Sequence, residues 1–380
     1  MAQLQGMDRR FFLATGLVTM LFNSVYQYSW NAFFPLLVKG FHASPSSVEV
    51  GFALFVISST SFQVLGGRIS DLRGPRVMGS LGVLAFSFGL ILSSLTPSLP
   101  LFYATWTLGS VGEGVLYGIS LNLAIKWYAE RRGLASGLVS MGFGLGGALA
   151  NPLIELSNNF RSSMLAIGVA SLILLPLFLL SRYPSDMRGS PPGETLRETK
   201  FWLIYVSFVL ASLPLLVTSS SLGELGQYLN SVEYTIATVY FPIASGVGRP
   251  IMGHLTDRLG RLRGIDYMTA GILIGTSLVV IGFLGRNLLL LVGVALVGIM
   301  GGTTYPLYSA LVGDLYGPRY STANTSLLYT GKIVSGVLGS LIFSSLFQYS
   351  NVLGLSFIMG ATALSTVSLT LLHRITRGAS

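Results

Sequence analysis

The chain has 380 residues, 51% of them hydrophobic and only 10% charged, with a mean hydropathy of +0.69. Soluble domains carry roughly 25% charged residues, so a soluble globular protein is excluded; the absence of Cys removes disulfides and thiolate metal sites. A formal charge of +9 would suit nucleic acid only if the cations were clustered on a surface, and here they flank apolar runs instead.

Crossing ~30 Å of hydrocarbon takes ~20 apolar residues, and such stretches recur along the whole chain. In order they fall near 11–37, 48–67, 77–95, 99–125, 134–154, 162–181, 201–222, 232–255, 265–284, 288–311, 321–347 and 352–372. Twelve predicted helices leave no room for a soluble domain, so the expected class is an all-α polytopic membrane protein. "DRRFFLATG" at the start resembles a twin-arginine export signal. The apolar run behind it is too long for a signal and has no small-residue cleavage site, so Arg9 and Arg10 read as span flanks. "GFGLGG" (142–147) matches G-x-G-x-x-G but lies inside the fifth span; a dinucleotide turn needs a preceding strand, and close helix packing is the better reading. The polar run "SRYPSDMRGSPPGETLRETK" (181–200) divides the chain into a six-helix bundle at 1–182, a linker at 183–199 and a second bundle at 200–380.

Lys and Arg set the orientation. Eighteen of the 23 fall on the face that carries the N-terminus and the linker, three (Lys39, Arg161, Arg286) on the other, and Arg249 and Lys332 within spans. Both termini are therefore expected in the cytoplasm, in a plasma or inner membrane. The basic balance becomes a topology signal, with anionic lipid headgroups rather than nucleic acid as partners. His42, His254 and His373 are scattered and give no metal spacing. No cofactor, metal or enzymatic activity is expected, and the chain is expected to act as a monomer.

The two halves echo each other. "GGRISDLRGPR" (66–76) and "MGHLTDRLGRL" (252–262) share G-x-x-x-D-x-x-G, with Gly67, Asp71 and Gly74 matched by Gly253, Asp257 and Gly260 at an offset of 186 residues. Duplicated six-span units are a carrier architecture, with substrate bound near the midplane. On these residues the chain resembles the major facilitator superfamily, whose loop signature is G-x-x-x-D-x-x-G-x-[RK], and the resemblance covers essentially the whole chain. It implies two pseudo-symmetric six-helix bundles and a cytoplasmic gate. That gate would involve Gly67, Asp71, Gly74, Arg76, Arg131 and Arg132 in the first copy, and Asp257, Arg258 and Arg261 in the second. Asp71 is expected to pair with a basic group such as Arg131 or Arg132 in one conformer and to release it in another.

Arg249 lies eight residues before Asp257 and Lys332 eleven beyond Ser321. At ~1.5 Å per residue both sit roughly 12–16 Å into the bilayer, where charge is costly and marks function. The one acid at comparable depth is Glu113, in "LGSVGEGVLYG" of the fourth span. One carboxylate cannot neutralise two cations, so a small anion from outside is expected to complete the balance. Tyr329 precedes Lys332 by three residues and so should share its helical face. Tyr28, Trp30, Tyr117, Tyr305 and Tyr308 add candidate wall residues with polar handles.

Further stretches carry a narrower likeness. "KWYAERRGLASGLVSMGFGLGGALANPL" (126–153), "YSWNAFFPLL" (28–37) and "YTGKIVSGVLG" (329–339) resemble the oxalate:formate antiporter family, which is related to the monocarboxylate transporters. That family binds the two ends of a carboxylate substrate with an arginine of the eighth span and a lysine of the eleventh, which implies these roles for Arg249 and Lys332. The monocarboxylate transporters usually have an aspartate four residues before the arginine, where this chain has Ser245; Glu113 stands where the antiporters have small or apolar residues. The resemblance thus implies carboxylate exchange by alternating access. The alternative is proton-coupled monocarboxylate symport through Arg249 and Glu113, with Glu113 as the proton carrier and protons as a second partner. Inorganic anions such as nitrate and a non-transporting anion sensor are minor readings, the latter disfavoured by the lack of signalling segments.

Overall fold

The computed structural model describes residues 8–220, 229–285, 287–337, 339 and 342–377; Arg286 lies outside them. Every regular element among these residues is helical. In chain order they are α1 (Arg9–Tyr28), α2 (Trp30–Phe41), α3 (Pro45–Arg73), α4 (Pro75–Leu95), α5 (Leu99–Trp127), α6 (Arg132–Ser157), α7 (Phe160–Ser171), α8 (Leu174–Leu179) and α9 (Pro192–Thr195). There follow α10 (Thr199–Ser220), α11 (Ser231–Leu259), α12 (Arg261–Phe283), α13 (Asn287–Gly302), α14 (Thr304–Tyr316), α15 (Ser321–Tyr329), α16 (Gly331–Val337), α17 (Phe343–Tyr349) and α18 (Asn351–Arg377).

The helix ends follow from local chemistry. Ser44 caps α3 by accepting the Ser47 N–H, with Pro45 at the first helical position. Asn230 and Glu233 form a reciprocal capping box at the start of α11. α3 ends at Gly74 (φ +84°) and α11 at Gly260 (φ +93°), and in each case the next helix starts at once. The last glycine of each repeat copy therefore makes a left-handed turn that a side chain would strain.

The described residues form two compact units. The first falls within Met1–Glu130, Leu138–Gly189 and Gly317–Ser326; the second within Arg131–Gly137, Ser190–Tyr316 and Leu327–Ser380. In the first unit α5 runs through the middle, packed by α1, α3 and α4. Every residue from Gly112 to Lys126 is buried, Glu113 and Lys126 included. Glycines set the spacing. A Cβ on Gly114 would lie 1.9 Å from Ser59 O, and one on Gly89 2.2 Å from the Cα of Gly109. Gly142 and Gly146 of "GFGLGG" press α6 onto α1, with Leu17 O and Leu21 O at 2.5 and 2.0 Å from their would-be Cβ atoms. In the second unit α13 packs between α11 and α12, while α10 lies along α18.

Among the described residues, nine helical stretches are long and apolar enough to cross a membrane. The three predicted spans missing from that set are the first, eighth and eleventh. The first breaks at Ser29 between α1 and α2, and the eleventh at Thr330 between α15 and α16. The eighth, α11, is one unbroken helix carrying Glu233, Arg249 and Asp257.

Candidate functional site

The register of α3 against α5 governs the first unit's chemistry. Trp106 Nε1 donates to Gly51 O (3.1 Å), Ser59 Oγ donates to Glu113 Oε2, and Lys126 Nζ meets Asp71 Oδ1 (2.8 Å). Partner numbers rise together, so the helices run parallel and this alignment brings Lys126 opposite Asp71. The basic group paired with Asp71 is thus Lys126 and not Arg131 or Arg132, the two examples expected from sequence. The place of Lys126 at the end of the buried run from Gly112 to Lys126 of α5 hides the pair: both side chains are 0% exposed. Arg132 instead pairs with Asp314.

The pair is tied to residues 317–326 by three further hydrogen bonds. Lys126 Nζ also donates to Pro318 O (2.7 Å) and Arg319 O (3.0 Å), and Asp71 Oδ2 accepts the Ala323 N–H (2.8 Å). Ala323 lies in the first turn of α15, whose N–H groups have no partner within the helix. Gly67 packs on the same turn, its would-be Cβ 3.0 Å from Thr322 O.

The second copy repeats the design in its own unit. Asp257 accepts the N–H groups of Gly133 (3.0 Å) and Leu134 (2.7 Å), in the first turn of α6. It is paired with Arg261 (2.6 Å), which also holds Asp314 (2.6 Å). Gly253 packs on Gly133, with a would-be Cβ 2.1 Å from Gly133 O. Each position of G-x-x-x-D-x-x-G thus has the same task in both copies: close approach, capping of a distant helix start, and a left-handed turn. Arg76, Arg131 and Arg258 are exposed, and the two networks are built from the other residues.

Deeper in the first unit, Glu113 is 2% exposed, with Ser59 Oγ on its carboxylate and Asn23 Nδ2 on its backbone carbonyl (3.1 Å). Phe143 bridges Tyr28 and Tyr117, its ring edge-on to both at centroid distances of 5.3 and 5.2 Å. Trp30 packs on Phe34, Phe52 and Trp106, with its Nε1 3.4 Å from Glu49 Oε2.

In the second unit Arg249 is 1% exposed. Its Nε donates to Ser245 O (3.1 Å), and Nη2 stands 3.4 Å from Ser245 Oγ. Ser245 thus occupies the place beside the guanidinium where an acid at that position would stand. Lys332 is part-exposed on the first turn of α16. The break at Thr330 separates it from Tyr329, so the expected common helical face is interrupted. Tyr329 stacks on Phe208 (5.4 Å) and donates to Tyr305 O (2.8 Å), while Tyr305 and Tyr308 stand edge-on to that same Phe208. Phe143 and Phe208, the hubs of the two aromatic groups, are missed by a reading that looks for rings with polar handles.

One further residue was not singled out from sequence. The linker's Tyr183 holds its ring 4.3 Å from Lys126 Nζ, and burial together with the neighbouring Asp71 charge pushes its phenol above the usual range, keeping it a hydrogen-bond donor.

The Major Facilitator Superfamily family model matches residues 12–223 and 204–379. The chain is 42% identical to an uncharacterized 38 kDa protein encoded in a 23S RNA operon of Thermoproteus tenax, over 95% of each chain. It is 27% identical to the oxalate:formate antiporter of Oxalobacter formigenes, over 87% of this chain and 83% of that one. The solved structure of the human organic anion transporter MFSD10 superposes with a TM-score of 0.77 at 15% identity, over 96% of this chain and all of that one. With the duplicated signature loop and the all-helical architecture, these findings establish the chain as a member of the major facilitator superfamily, a multi-pass membrane transporter.

Proposed function

We propose that the protein exchanges small carboxylate anions across the membrane by alternating access, with Arg249 and Lys332 holding the two ends of the substrate. The observation that carries this reading is the guanidinium of Arg249, 1% exposed on α11 and steadied by Ser245 through its backbone oxygen and hydroxyl. A planar fork fixed this way suits a carboxylate, and a lysine supplies a compact second charge for the far end. The likeness to the oxalate:formate antiporter of Oxalobacter formigenes supports the same class. In this reading the two aspartate networks form the gate on the cytoplasmic face, both termini lie in the cytoplasm, and the carrier works as a monomer among anionic lipids of a plasma or inner membrane. The test is counterflow in proteoliposomes, with labelled oxalate outside and unlabelled mono- and dicarboxylates inside. Short dicarboxylates drive uptake in the wild type, and Lys332→Met abolishes it. Uptake unaffected by Lys332→Met would end the two-ended assignment.

A second reading rests on Glu113, a buried carboxyl bonded by Ser59 at depth. Proton–monocarboxylate symport would use Arg249 for the anion and Glu113 for the proton. Its signature is uptake driven by a pH gradient that Glu113→Gln removes while Lys332→Met leaves it intact.

A further inference from the structure

The linker is built into the Asp71–Lys126 network. Trp127 Nε1 donates to Arg182 O (2.9 Å), which carries the next residue, Tyr183, over the ammonium of Lys126. The Tyr183 hydroxyl shares a 2.6 Å hydrogen bond with Ser70 Oγ, beside Asp71. It also stands 3.4 Å from Thr322 Oγ1, beside the Ala323 N–H that Asp71 accepts. Farther along, Arg188 O accepts the Arg319 N–H (3.3 Å), while Arg319 O is itself a Lys126 acceptor.

An ammonium has three protons, and those of Lys126 have three acceptors: Asp71 Oδ1, Pro318 O and Arg319 O. The face they leave uncovered is the one the Tyr183 ring covers. An aromatic face attracts a desolvated cation and cannot compete for its protons, whereas water at that place would compete with both carbonyls. We propose that Tyr183 is a positioning residue of the gate, sealing Lys126 from water and tying the linker to the docking of residues 317–326. The proposal rests on the gate reading of the ion pair and is independent of which substrate is carried.

The chain has no Cys, so Ala323→Cys provides a single thiol at a site 2% exposed. The rate of its modification by a water-soluble maleimide reports how often 317–326 leaves its seat. With Tyr183→Leu the rate rises roughly tenfold or more; with Tyr183→Phe, which keeps the ring, it stays within roughly threefold of the parent. In a Lys126→Met background Tyr183→Leu adds nothing further. Trp127→Phe removes the donor to Arg182 O while keeping a ring to stack on Phe12, and it raises labelling in the same direction, which keeps the test decisive if Tyr183→Leu does not fold. Parent-like labelling in Trp127→Phe and in Tyr183→Leu, or an equal effect of Tyr183→Leu with and without Lys126, would overturn the proposal. The readout needs no substrate, so either result leaves the carboxylate assignment to its own test.

Discussion

Replacing Lys126 by Met removes one partner of an ion pair whose side chains are both 0% exposed. Asp71 then keeps the Ala323 N–H on one oxygen but loses its countercharge, and Pro318 O and Arg319 O lose their donor. Stripping one member from a buried pair costs about 3–5 kcal/mol. Because three of the contacts reach residues 317–326, the cost falls on the arrangement in which that segment is docked. At 1.4 kcal/mol per tenfold, the docked fraction relative to the undocked one should fall by roughly two to three and a half orders of magnitude. The Ala323→Cys labelling rate measures this directly. The double variant Asp71→Asn/Lys126→Met leaves no charge to desolvate, and neutral replacement of a buried pair is often close to neutral in stability; it should recover most of the loss. If the single and double variants label alike, the buried charge is not what holds the segment and the reasoning fails.

Three further outcomes follow from the geometry. Gly253→Ala should impair function and thermal stability more than Gly67→Ala, because its Cβ meets backbone Gly133 O at 2.1 Å, while at Gly67 the shortest approach is a movable Ser326 hydroxyl at 2.8 Å; overpacking of this kind costs about 1–3 kcal/mol, and equal melting temperatures for the two variants would contradict it. Ser245→Asp sets a carboxylate on the Arg249 guanidinium in a place already tight, with the would-be Cβ of Gly302 2.3 Å from Ser245 Oγ; anion counterflow should drop at least about tenfold, and undiminished counterflow would mean that Arg249 does not meet the substrate. Glu113→Gln keeps the shape and an acceptor for Ser59 while removing the titrating proton; under the exchange reading the pH profile of counterflow is unchanged, and a flattened profile would favour proton coupling.

Much of the fold was legible because hydropathy and the repeat speak to it. Apolar runs locate the helices, and the duplicated G-x-x-x-D-x-x-G marks six residues whose tasks coincide in the two copies, down to the left-handed turns at Gly74 and Gly260. The partner of Asp71 was not legible. It depends on the register of α3 on α5, set by small-residue contacts such as Gly114 on Ser59 that no local pattern announces. Lys126 also looks like any other positive flank of a span. The breaks at Ser29 and Thr330 escaped for a related reason: neither is marked by a proline, and Gly331 beside Thr330 looks like the packing glycines found throughout the spans. Tyr305, Tyr308 and Tyr329 were legible as aromatics at depth, but their grouping on Phe208 is a tertiary fact.

If Arg249 and Lys332 grip opposite ends of one anion, a two-ended and a one-ended carboxylate must respond differently to the loss of each cation when their binding to the purified protein is measured. Oxalate and formate affinities would be measured for the wild type, Arg249→Gln and Lys332→Gln. Lys332→Gln should weaken oxalate by roughly ten- to a hundredfold, the worth of one charge-assisted contact, while formate binding changes little; Arg249→Gln should weaken both. Equal losses for oxalate and formate in Lys332→Gln, or no loss for either, would contradict a clamp with Lys332 as its second end.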